Sequence, residues 1–450
     1  MDFRYLPMTE TDKQEMLKTI GVSTTEELFA DIPEKIRYKG EMNLRAPLNE
    51  TALMKELQQL SDKNADLQSY PSFLGAGVYD HYIPSIVDHV IRRSEFYTAY
   101  TPYQPEISQG ELQAIFEFQT MVCELTGMDI ANSSMYDGHT ALAEAALVAG
   151  SQHKSSSRKI LVSEGVHPES LHVIETYASG PGIVVETIPL TDGKTDMNAL
   201  EKQIDEDTAG VILQYPNFYG SIEDLQAAEK LIHQYKSLFI VSSNPLSLGV
   251  LKSPGSFGAD IVTGDAQPFG IPTQFGGPHC GYFTTTKKLM RKVPGRLVGQ
   301  TEDEDGIRGF VLTLQTREQH IRRDKATSNI CSNQALNALA ASVAMTALGR
   351  QGVKEMAAQN VKKTHYMKQQ LQQAGIQITA EQPVFNEFVI QLPDSADKIN
   401  RALFERGIIG GYDLEQTKAG KKGQMLLCVT DKRSKAEIDL FVEELKGVLA

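Results

Sequence analysis

The chain has 450 residues, 41% of them hydrophobic and 22% charged, a composition typical of a globular protein of two or three domains. Its formal net charge of −13 argues against nucleic acid as a partner, because that binding depends on Lys and Arg neutralising phosphates. No apolar run approaches the roughly 20 residues of a membrane span, and the acidic start resembles neither a secretory signal nor a transit peptide. We therefore expect a cytoplasmic protein that does not bind membranes.

The four cysteines are widely scattered along the chain, at Cys123, Cys280, Cys331 and Cys428. No pair has the C-x-x-C spacing of a zinc site, and the pattern is not that of a disulfide framework. All four lie in apolar stretches. We predict reduced, buried thiols and no metal site.

Residues 1–65 predict a helical N-terminal arm without strands. Thr24 and Glu27 have the spacing of a capping box, which indicates that a helix begins there. Leucines then recur at helical spacing, at Leu53, Leu57 and Leu60. The arm has no core of its own in this pattern, so we expect it to pack on a partner or on the main domain.

Residues 66–330 predict one large α/β domain. An amphipathic helix is predicted over residues 111–126, and short apolar runs then alternate with helical segments. The predicted strands are 159–163, 182–188, 209–214, 238–243, 260–264 and 281–286, with helices at 168–177, 198–204 and 222–235. Such alternation favours a mostly parallel sheet covered on both faces, with ligands beyond the carboxyl ends of its strands.

Residues 331–450 predict a linker helix and a small α+β domain. The Ala-rich stretch 332–349 and the stretch 352–374 have helical patterns. Two strands are predicted at 384–392 and 424–430, followed by a final amphipathic helix over about 434–449.

The segment 258–283, GADIVTGDAQPFGIPTQFGGPHCGYF, combines an apolar strand, a polar turn and a Gly-rich stretch before another strand. It resembles the segment that carries the cofactor lysine in fold-type-I pyridoxal phosphate enzymes. A lysine amine there would form a Schiff base with the cofactor aldehyde. The turn holds Gln267 instead, which cannot form an imine.

Three further segments extend the resemblance: 100–111 (YTPYQPEISQGE), 133–139 (SSMYDGH) and 316–332 (TREQHIRRDKATSNICS). Together they make nearly the whole chain similar to the N-terminal subunits, without cofactor, of glycine decarboxylase, the P-protein of the glycine cleavage system. The resemblance implies a large domain of the pyridoxal phosphate transferase type. It places Gln267 where the sister subunit has its lysine, and Ala266 where that subunit has the preceding His.

The resemblance also implies a function and partners. The assembled enzyme would decarboxylate glycine, using pyridoxal phosphate bound to the sister subunit 2, and pass the aminomethyl group to the lipoyl arm of H-protein. This chain would bind no cofactor covalently and have no catalytic residue of its own when alone. Two alternatives stay open: a self-contained pyridoxal phosphate enzyme that uses another lysine, and a purely structural pseudoenzyme.

A degenerate cofactor pocket is implied by the same resemblance. Its phosphate turn is Asp137, Gly138 and His139, where the Asp137 carboxylate would satisfy the helix N–H groups and repel a phosphate. Asp137 is also an ordinary N-cap residue. His167 lies where the family's active half stacks a His on the cofactor ring, although a His before a helix-starting Pro is also a common loop residue. No Asp occurs between Leu238 and Asp260 to hold the ring nitrogen.

Two other segments are candidate sites. The loop at 100–110 resembles the border of a shared active site and has Pro and Gly that disfavour a helix; a packed turn is the alternative. Its polar candidates are Tyr100, Thr101, Tyr103, Gln104, Glu106 and Ser108. The second segment is basic, which suggests anion binding or subunit pairing, or else a solvated face. Its residues are Arg317, His320, Arg322, Arg323 and Lys325.

Overall fold

The computed structural model describes residues 5–155, 158–274, 277–314, 317, 319–328, 330, 332–379, 382–417 and 422–449. The chain divides into two compact units, Met1–Ala65 and Asp66–Ala450. The three-domain division made from the sequence stays a prediction. Among the helices of the described residues, none is long and apolar enough to cross a membrane.

The first unit is helical, and residues 5–65 contain no strand. Its α-helices are α1 Glu10–Ile20 and α2 Glu50–Ser61, with 3₁₀ turns at Glu26–Phe29 and Glu34–Ile36. A capping box does occur, but it joins Thr9 and Asp12 at the start of α1. The residues of the box expected at Thr24 precede a 3₁₀ turn, Glu26–Phe29, and not an α-helix, so the predicted α-helix start was wrong.

The second unit contains the remaining elements. Its helices are α3 Ser85–Ile91, α4 Ser94–Tyr97, α5 Gln109–Thr126, α6 Gly138–Gln152, α7 Pro168–Ser179, α8 Met197–Gln203, α9 Leu225–Gln234, α10 Gln319–Arg322, α11 Ala335–Gln373, α12 Ala396–Glu405 and α13 Lys435–Leu449. Its strands are β1 Ile130–Ala131, β2 Lys159–Ser163, β3 Val184–Ile188, β4 Leu190–Thr191, β5 Lys194–Thr195, β6 Thr208–Tyr215, β7 Leu238–Ser243, β8 Ile261–Asp265, β9 Gly281–Thr285, β10 Leu297–Glu302, β11 Arg308–Thr313, β12 Gln377–Ile378, β13 Glu387–Gln391, β14 Tyr412–Asp413 and β15 Gln424–Cys428.

The main sheet has the strand order β1-β9-β8-β7-β6-β2-β3. Strands β3, β2, β6, β7 and β8 are parallel, whereas β9 runs antiparallel to β8 and to β1. Successive residues enter different cores: Phe239 and Val241 pack on one face of the sheet and Ile240 on the other. Burial on both faces explains why these strands are continuous apolar runs. The mostly parallel α/β fold predicted from the sequence is confirmed.

A hairpin of β10 and β11 was not predicted. It packs against α5, where two glutamine side chains each bind both the N–H and the carbonyl of one hairpin residue, as a neighbouring strand would. Gln109 accepts from the N–H of Phe310 (2.8 Å) and donates to its carbonyl (2.9 Å). Gln119 does the same with Val298, at 2.9 and 3.0 Å. The hairpin is therefore positioned by contacts that no local sequence pattern indicates.

The C-terminal part matches the predicted α+β pattern. The two predicted helices are both present within α11 and meet at a kink at Gly349, whose non-helical conformation (φ 60°, ψ 178°) glycine adopts without steric cost. The second sheet is antiparallel, in the order β12-β13-β15-β14. Its core is shared with α12 and α13, through residues such as Phe388, Leu403 and Phe441.

Candidate functional site

Gln267 lies in the turn after β8, at the carboxyl edge of the main sheet, and its side chain is buried. The amide nitrogen donates to the carbonyls of Tyr79 and Ile271, both at 2.9 Å. The amide oxygen accepts from the N–H of Tyr79 at 2.9 Å. Both donor hydrogens are thus used within the protein, and Gln267 holds a backbone segment 188 residues away in sequence. The preceding Ala266 is also buried.

The start of α6 is closed by two carboxylates. Asp137 is the N-cap and accepts from the N–H of Thr140 at 2.8 Å. The N–H of Gly138 donates to Asp265 at 3.1 Å. A Cβ at Gly138 would lie 3.1 Å from the backbone of Gly264, so the helix start and β8 approach closely. These two amides, which would suit a phosphate, are therefore already bound to carboxyl side chains of the chain itself.

Asp265 is a carboxylate at the end of β8, with its side chain mostly buried. Burial raises its pKa, and the electrostatic interaction with His279 and hydrogen bonds from three backbone N–H groups oppose that rise. Those donors belong to Gln267, Cys280 and Gly138. Asp265 therefore fixes the turn that contains Gln267 and the start of α6 together.

His167 and His139 lie side by side, with ring centroids 4.8 Å apart. His167 is the N-cap of α7, and its Nδ1 accepts from the N–H of Glu169 at 3.1 Å. Nε2 therefore carries the hydrogen and donates to the carbonyl of Ala76 at 3.0 Å. Burial, then the neighbouring His139, lower the pKa of His167 to about 4, so it is neutral at pH 7. The Nδ1 of His139 is 2.7 Å from Ser170 Oγ.

These residues do not fit pyridoxal phosphate. Position 267 has no amine, and the first amides of α6 already bind Asp137 and Asp265. At the end of β7, the hydroxyl of Ser243 donates to the carbonyl of Tyr215, and residues 238–259 contain neither Asp nor Glu. The side chains of the predicted pocket do come together, but they bind one another and the chain's own backbone.

The loop at 100–110 packs against the β10–β11 hairpin. Its side chains Tyr100 and Tyr103 are exposed, by 85% and 56%, while Pro102 is buried. Gln104 and Ser108 flank a 3₁₀ turn at Pro105–Ile107 that contains Glu106. Gln104 and Glu106 are exposed, whereas Thr101 and Ser108 are half-buried. The guanidinium of Arg296 is 5.9 Å from the centroid of the Tyr103 ring, within the range of a cation–π contact. The loop therefore exposes polar side chains while its backbone is fixed to the hairpin through Gln109.

The basic segment separates into two parts. Arg317 is buried and forms an ion pair with Glu144 on α6 at 2.8 Å, and it also donates to the carbonyls of Thr327 and Lys292. The side chains at the other described positions of this motif, Arg322, Arg323 and Lys325, are exposed. The His320 side chain lies outside the part that the structure describes. Arg317 therefore belongs to the core, and only the later residues form a charged face.

Sequence reasoning missed Glu387, the first residue of β13. It is buried, accepts from the N–H of Ala76 at 2.7 Å and from the hydroxyl of Tyr79 at 2.8 Å. A carboxylate beginning an apolar run was an available signal, because such a group is seldom buried without specific partners. It also missed Arg296, whose exposed fraction is only 9%.

Neither a metal cluster nor a disulfide is found among the described residues. Cys280 and Cys428 are buried free thiols, as predicted, whereas Cys123 is partly exposed. Cys331 lies outside the described residues.

A model of the glycine cleavage system P-protein family matches residues 3–445. Proteins called probable glycine dehydrogenase (decarboxylating) subunit 1 from Bacillus cereus (strain B4264) and Bacillus thuringiensis (strain Al Hakam) are each 65% identical to this chain over 445 residues. In both cases the match covers 99% of each protein.

Among solved structures, an inhibitor-bound glycine decarboxylase (P-protein) of the glycine cleavage system superposes with a TM-score of 0.89 at 42% identity, over 100% of both chains. A Burkholderia pseudomallei sphingosine-1-phosphate lyase has a TM-score of 0.67 at 14% identity, covering 93% of this chain and 94% of its own. That likeness shows the fold alone. The fold-type-I pyridoxal phosphate transferase fold expected from the sequence is confirmed. The chain belongs to the glycine cleavage system P-protein family.

Proposed function

We propose that this chain is subunit 1, without cofactor, of a two-subunit glycine decarboxylase. The assembled enzyme decarboxylates glycine with pyridoxal phosphate bound to the sister subunit 2, and it transfers the aminomethyl group to the lipoyl arm of H-protein. The complex works in the cytoplasm, where buried thiols such as Cys280 and Cys428 stay reduced. This chain supplies a scaffold, a subunit interface and one border of the active site.

The proposal rests on the hydrogen bonds of the Gln267 side chain. A side chain in the lysine position that binds Tyr79 and Ile271 through both amide atoms is part of the architecture and has no free group for chemistry. Relatives 65% identical over 99% of the chain have the name of a subunit 1, which supports the assignment to the two-subunit form. The cofactor must then be supplied by another chain.

Mixing the purified chain with a lysine-bearing homologous chain from the same cell tests the proposal directly. We expect glycine-dependent exchange of CO2 with the mixture, together with H-protein, and no activity with either chain alone. Full activity of the lysine-bearing chain alone would contradict a role for this subunit.

The isolated chain should form no covalent adduct with pyridoxal phosphate, because position 267 has no amine and the start of α6 binds carboxylates. Borohydride reduction after incubation with excess cofactor, followed by mass spectrometry, measures this. A specific phosphopyridoxyl group on one lysine would instead support the self-contained enzyme.

The N-terminal unit supports a partner interface. The α2 helix has no buried residue, and its apolar side chains Leu53, Met54, Leu57 and Leu60 are 44%, 62%, 51% and 51% exposed. An apolar stripe on a helix is stabilised only when another surface covers it. We propose that subunit 2 provides that surface.

Deleting residues 1–60 should weaken assembly with subunit 2, because the apolar stripe of α2 would be lost. In the full chain, Leu53→Ser combined with Leu57→Ser should raise the dissociation constant on the order of 10-fold or more, since about 1.4 kcal/mol corresponds to tenfold. The exposed Gln59→Ser on the same helix is the control. Analytical ultracentrifugation measures all three, and unchanged affinity after the deletion would remove the arm from the interface.

The loop at 100–110 is proposed to border the shared active site. The side chains of Tyr100, Tyr103 and Gln104 are exposed, and Gln109 joins the loop backbone to the hairpin by donating to the carbonyls of Pro105 and Phe310. Such groups can contact a small polar substrate and help to exclude water, which strengthens the electrostatic interactions in a site.

Tyr100→Phe, Tyr103→Phe or Gln104→Ala should therefore lower the turnover of the assembled enzyme, on the order of 10-fold, as expected for loss of a positioned group. Assembly should be unaffected, because only polar atoms are removed. Glu117→Gln, on the exposed face of α5, is the matched control. Wild-type turnover in all three loop variants would show that the loop lies outside the active site and would favour the structural pseudoenzyme.

A further inference from the structure

Residues 72–82, which we call the strap, run along the second sheet and then pass over the carboxyl edge of the main sheet. On the side of the second sheet, the N–H of Phe73 donates to Ile409 (2.9 Å), and its carbonyl accepts from Cys428 (2.8 Å). Farther along, the hydroxyl of Thr430 donates to the carbonyl of Asp80 at 2.7 Å. The strap is thus attached to the second sheet through its backbone at both ends.

Charged side chains reinforce that attachment. His81 is buried and lies 2.5 Å from Asp431, and Asp80 pairs with Lys432 and Arg433 at 2.6 and 3.0 Å. In the middle of the strap, the buried Glu387 accepts from the N–H of Ala76 and the hydroxyl of Tyr79, described above. Apart from Lys432, which is 39% exposed, the side chains of these contacts are mostly shielded from water, and hydrogen bonds are stronger in such surroundings.

On the other side, the strap covers the two residues that the family resemblance places nearest the cofactor. Gln267 binds the N–H and the carbonyl of Tyr79, and His167 donates to the carbonyl of Ala76. A Cβ added at Gly77 would lie 3.3 Å from both Cδ2 and Nε2 of His167, so the strap backbone packs against that edge of the ring. The space over His167 is therefore taken by protein.

The sequence of the strap suits this close approach. Gly77 has φ 99°, a value that favours glycine. Ala76 has φ 57°, which is uncommon for a residue other than glycine. A Cβ at Gly75 would lie 2.5 Å from Glu387 and 2.6 Å from Cys428, so only glycine fits there. The Gly75-Ala76-Gly77 run therefore lets the backbone approach both sheets.

We propose that the cofactor-like pocket of this chain is a binding site for its own strap, which fills the pocket and holds the second sheet fixed against the main sheet. Gln267 is the positioning residue on one side and Glu387 on the other. The pocket then excludes pyridoxal phosphate by occupancy as well as by the missing lysine. The inference takes the position of the pocket from the family assignment and does not depend on the activity proposed above.

Amide hydrogen exchange, measured on the full-length chain, tests the occupancy. The amides of Ala76 and Tyr79 should exchange slowly, like those of the sheet, since both are hydrogen-bonded inside the unit. Gln267→Met keeps the size of the side chain and removes its hydrogen bonds, so exchange across residues 72–82 should accelerate by roughly 10-fold or more. The control is Gln119→Met, because Gln119 binds the backbone of Val298 in the same manner, far from the strap.

Fast exchange of these amides in the unsubstituted chain would overturn the proposal, as would equal acceleration by Gln119→Met and Gln267→Met. A second measurement uses Gln267→Lys with excess pyridoxal phosphate and borohydride. We expect no adduct at position 267, because the strap occupies the space; an adduct there, with the strap amides still protected, would show that the two can coexist and would also overturn it. Neither readout depends on decarboxylation, so a failed activity assay would not affect the result.

Discussion

Replacing Arg317 with methionine should lower the free energy of unfolding by about 3–5 kcal/mol, the cost of leaving one member of a buried ion pair without its partner. Glu144 is wholly buried on α6, and its two carboxylate oxygens accept from Arg317 and from the hydroxyl of Ser328, at 2.8 and 2.9 Å. Without the guanidinium, the carboxylate must become protonated or open the structure to water.

Urea-induced unfolding, followed by circular dichroism, measures the loss as a shift in the transition. Lys325→Met is the matched control from the exposed part of the same segment and should change stability by no more than about 0.5 kcal/mol. Combining Arg317→Met with Glu144→Leu should recover part of the loss, because both charges then leave the core. An equal effect of Arg317→Met and Lys325→Met would mean that the ion pair does not hold this segment in place.

The main sheet was predictable because its strands are buried on both faces and are therefore continuous apolar runs. Some helix ends were also predictable, because the capping residue itself indicates them, as Gly127 does at the end of α5. The hairpin of β10 and β11 was not, because glycines and polar residues interrupt its short strands and glutamine side chains of α5 hold it. The arm was predicted to be helical, but at Thr24 the cap residues preceded a 3₁₀ turn.

The sequence predicted which cofactor-binding groups the site lacks, but not the contacts that replace them. The absence of a lysine at position 267 can be read directly from the sequence. The contacts formed instead join residues far apart: Gln267 with Tyr79 over 188 positions, and Glu387 with Ala76 over 311. A side chain that binds distant backbone has no periodicity that a sequence pattern could indicate. Arg317 shows the same limit, since a buried and an exposed arginine look alike within a basic run.

Stability should also depend on pH through Glu387. Burial raises the pKa of this carboxyl from 4.5 to about 7, and the hydrogen bonds from Ala76 and Tyr79 oppose the rise only in part. The folded chain therefore keeps a proton that the unfolded chain releases between about pH 4.5 and 7. The stabilisation is fully present below pH 4.5 and is lost as the pH rises to about 7, a fall in unfolding free energy of about 3 kcal/mol at 1.36 kcal/mol per pKa unit.

His167 acts in the opposite direction over much of this range. Its pKa is lowered to about 4, mainly by burial, so the unfolded chain binds a proton that the folded chain does not between about pH 4 and 6.5. That contribution increases the unfolding free energy as the pH rises. The profile of the unsubstituted chain is therefore a sum of opposed terms, and only a difference between variants isolates Glu387.

Glu387→Gln provides that difference, because the amide keeps the size and an acceptor for the N–H of Ala76 but does not titrate. The unfolding free energy of the variant minus that of the parent should increase by about 3 kcal/mol between pH 4.5 and 8, since only the parent loses the Glu387 contribution. Glu405→Gln, an exposed carboxylate on α12, should give a difference that changes little over the same range. A Glu387 difference that is equally flat would mean that the carboxyl ionises in the folded chain as it does in the unfolded one, and that the contact between Glu387 and the strap is open to water.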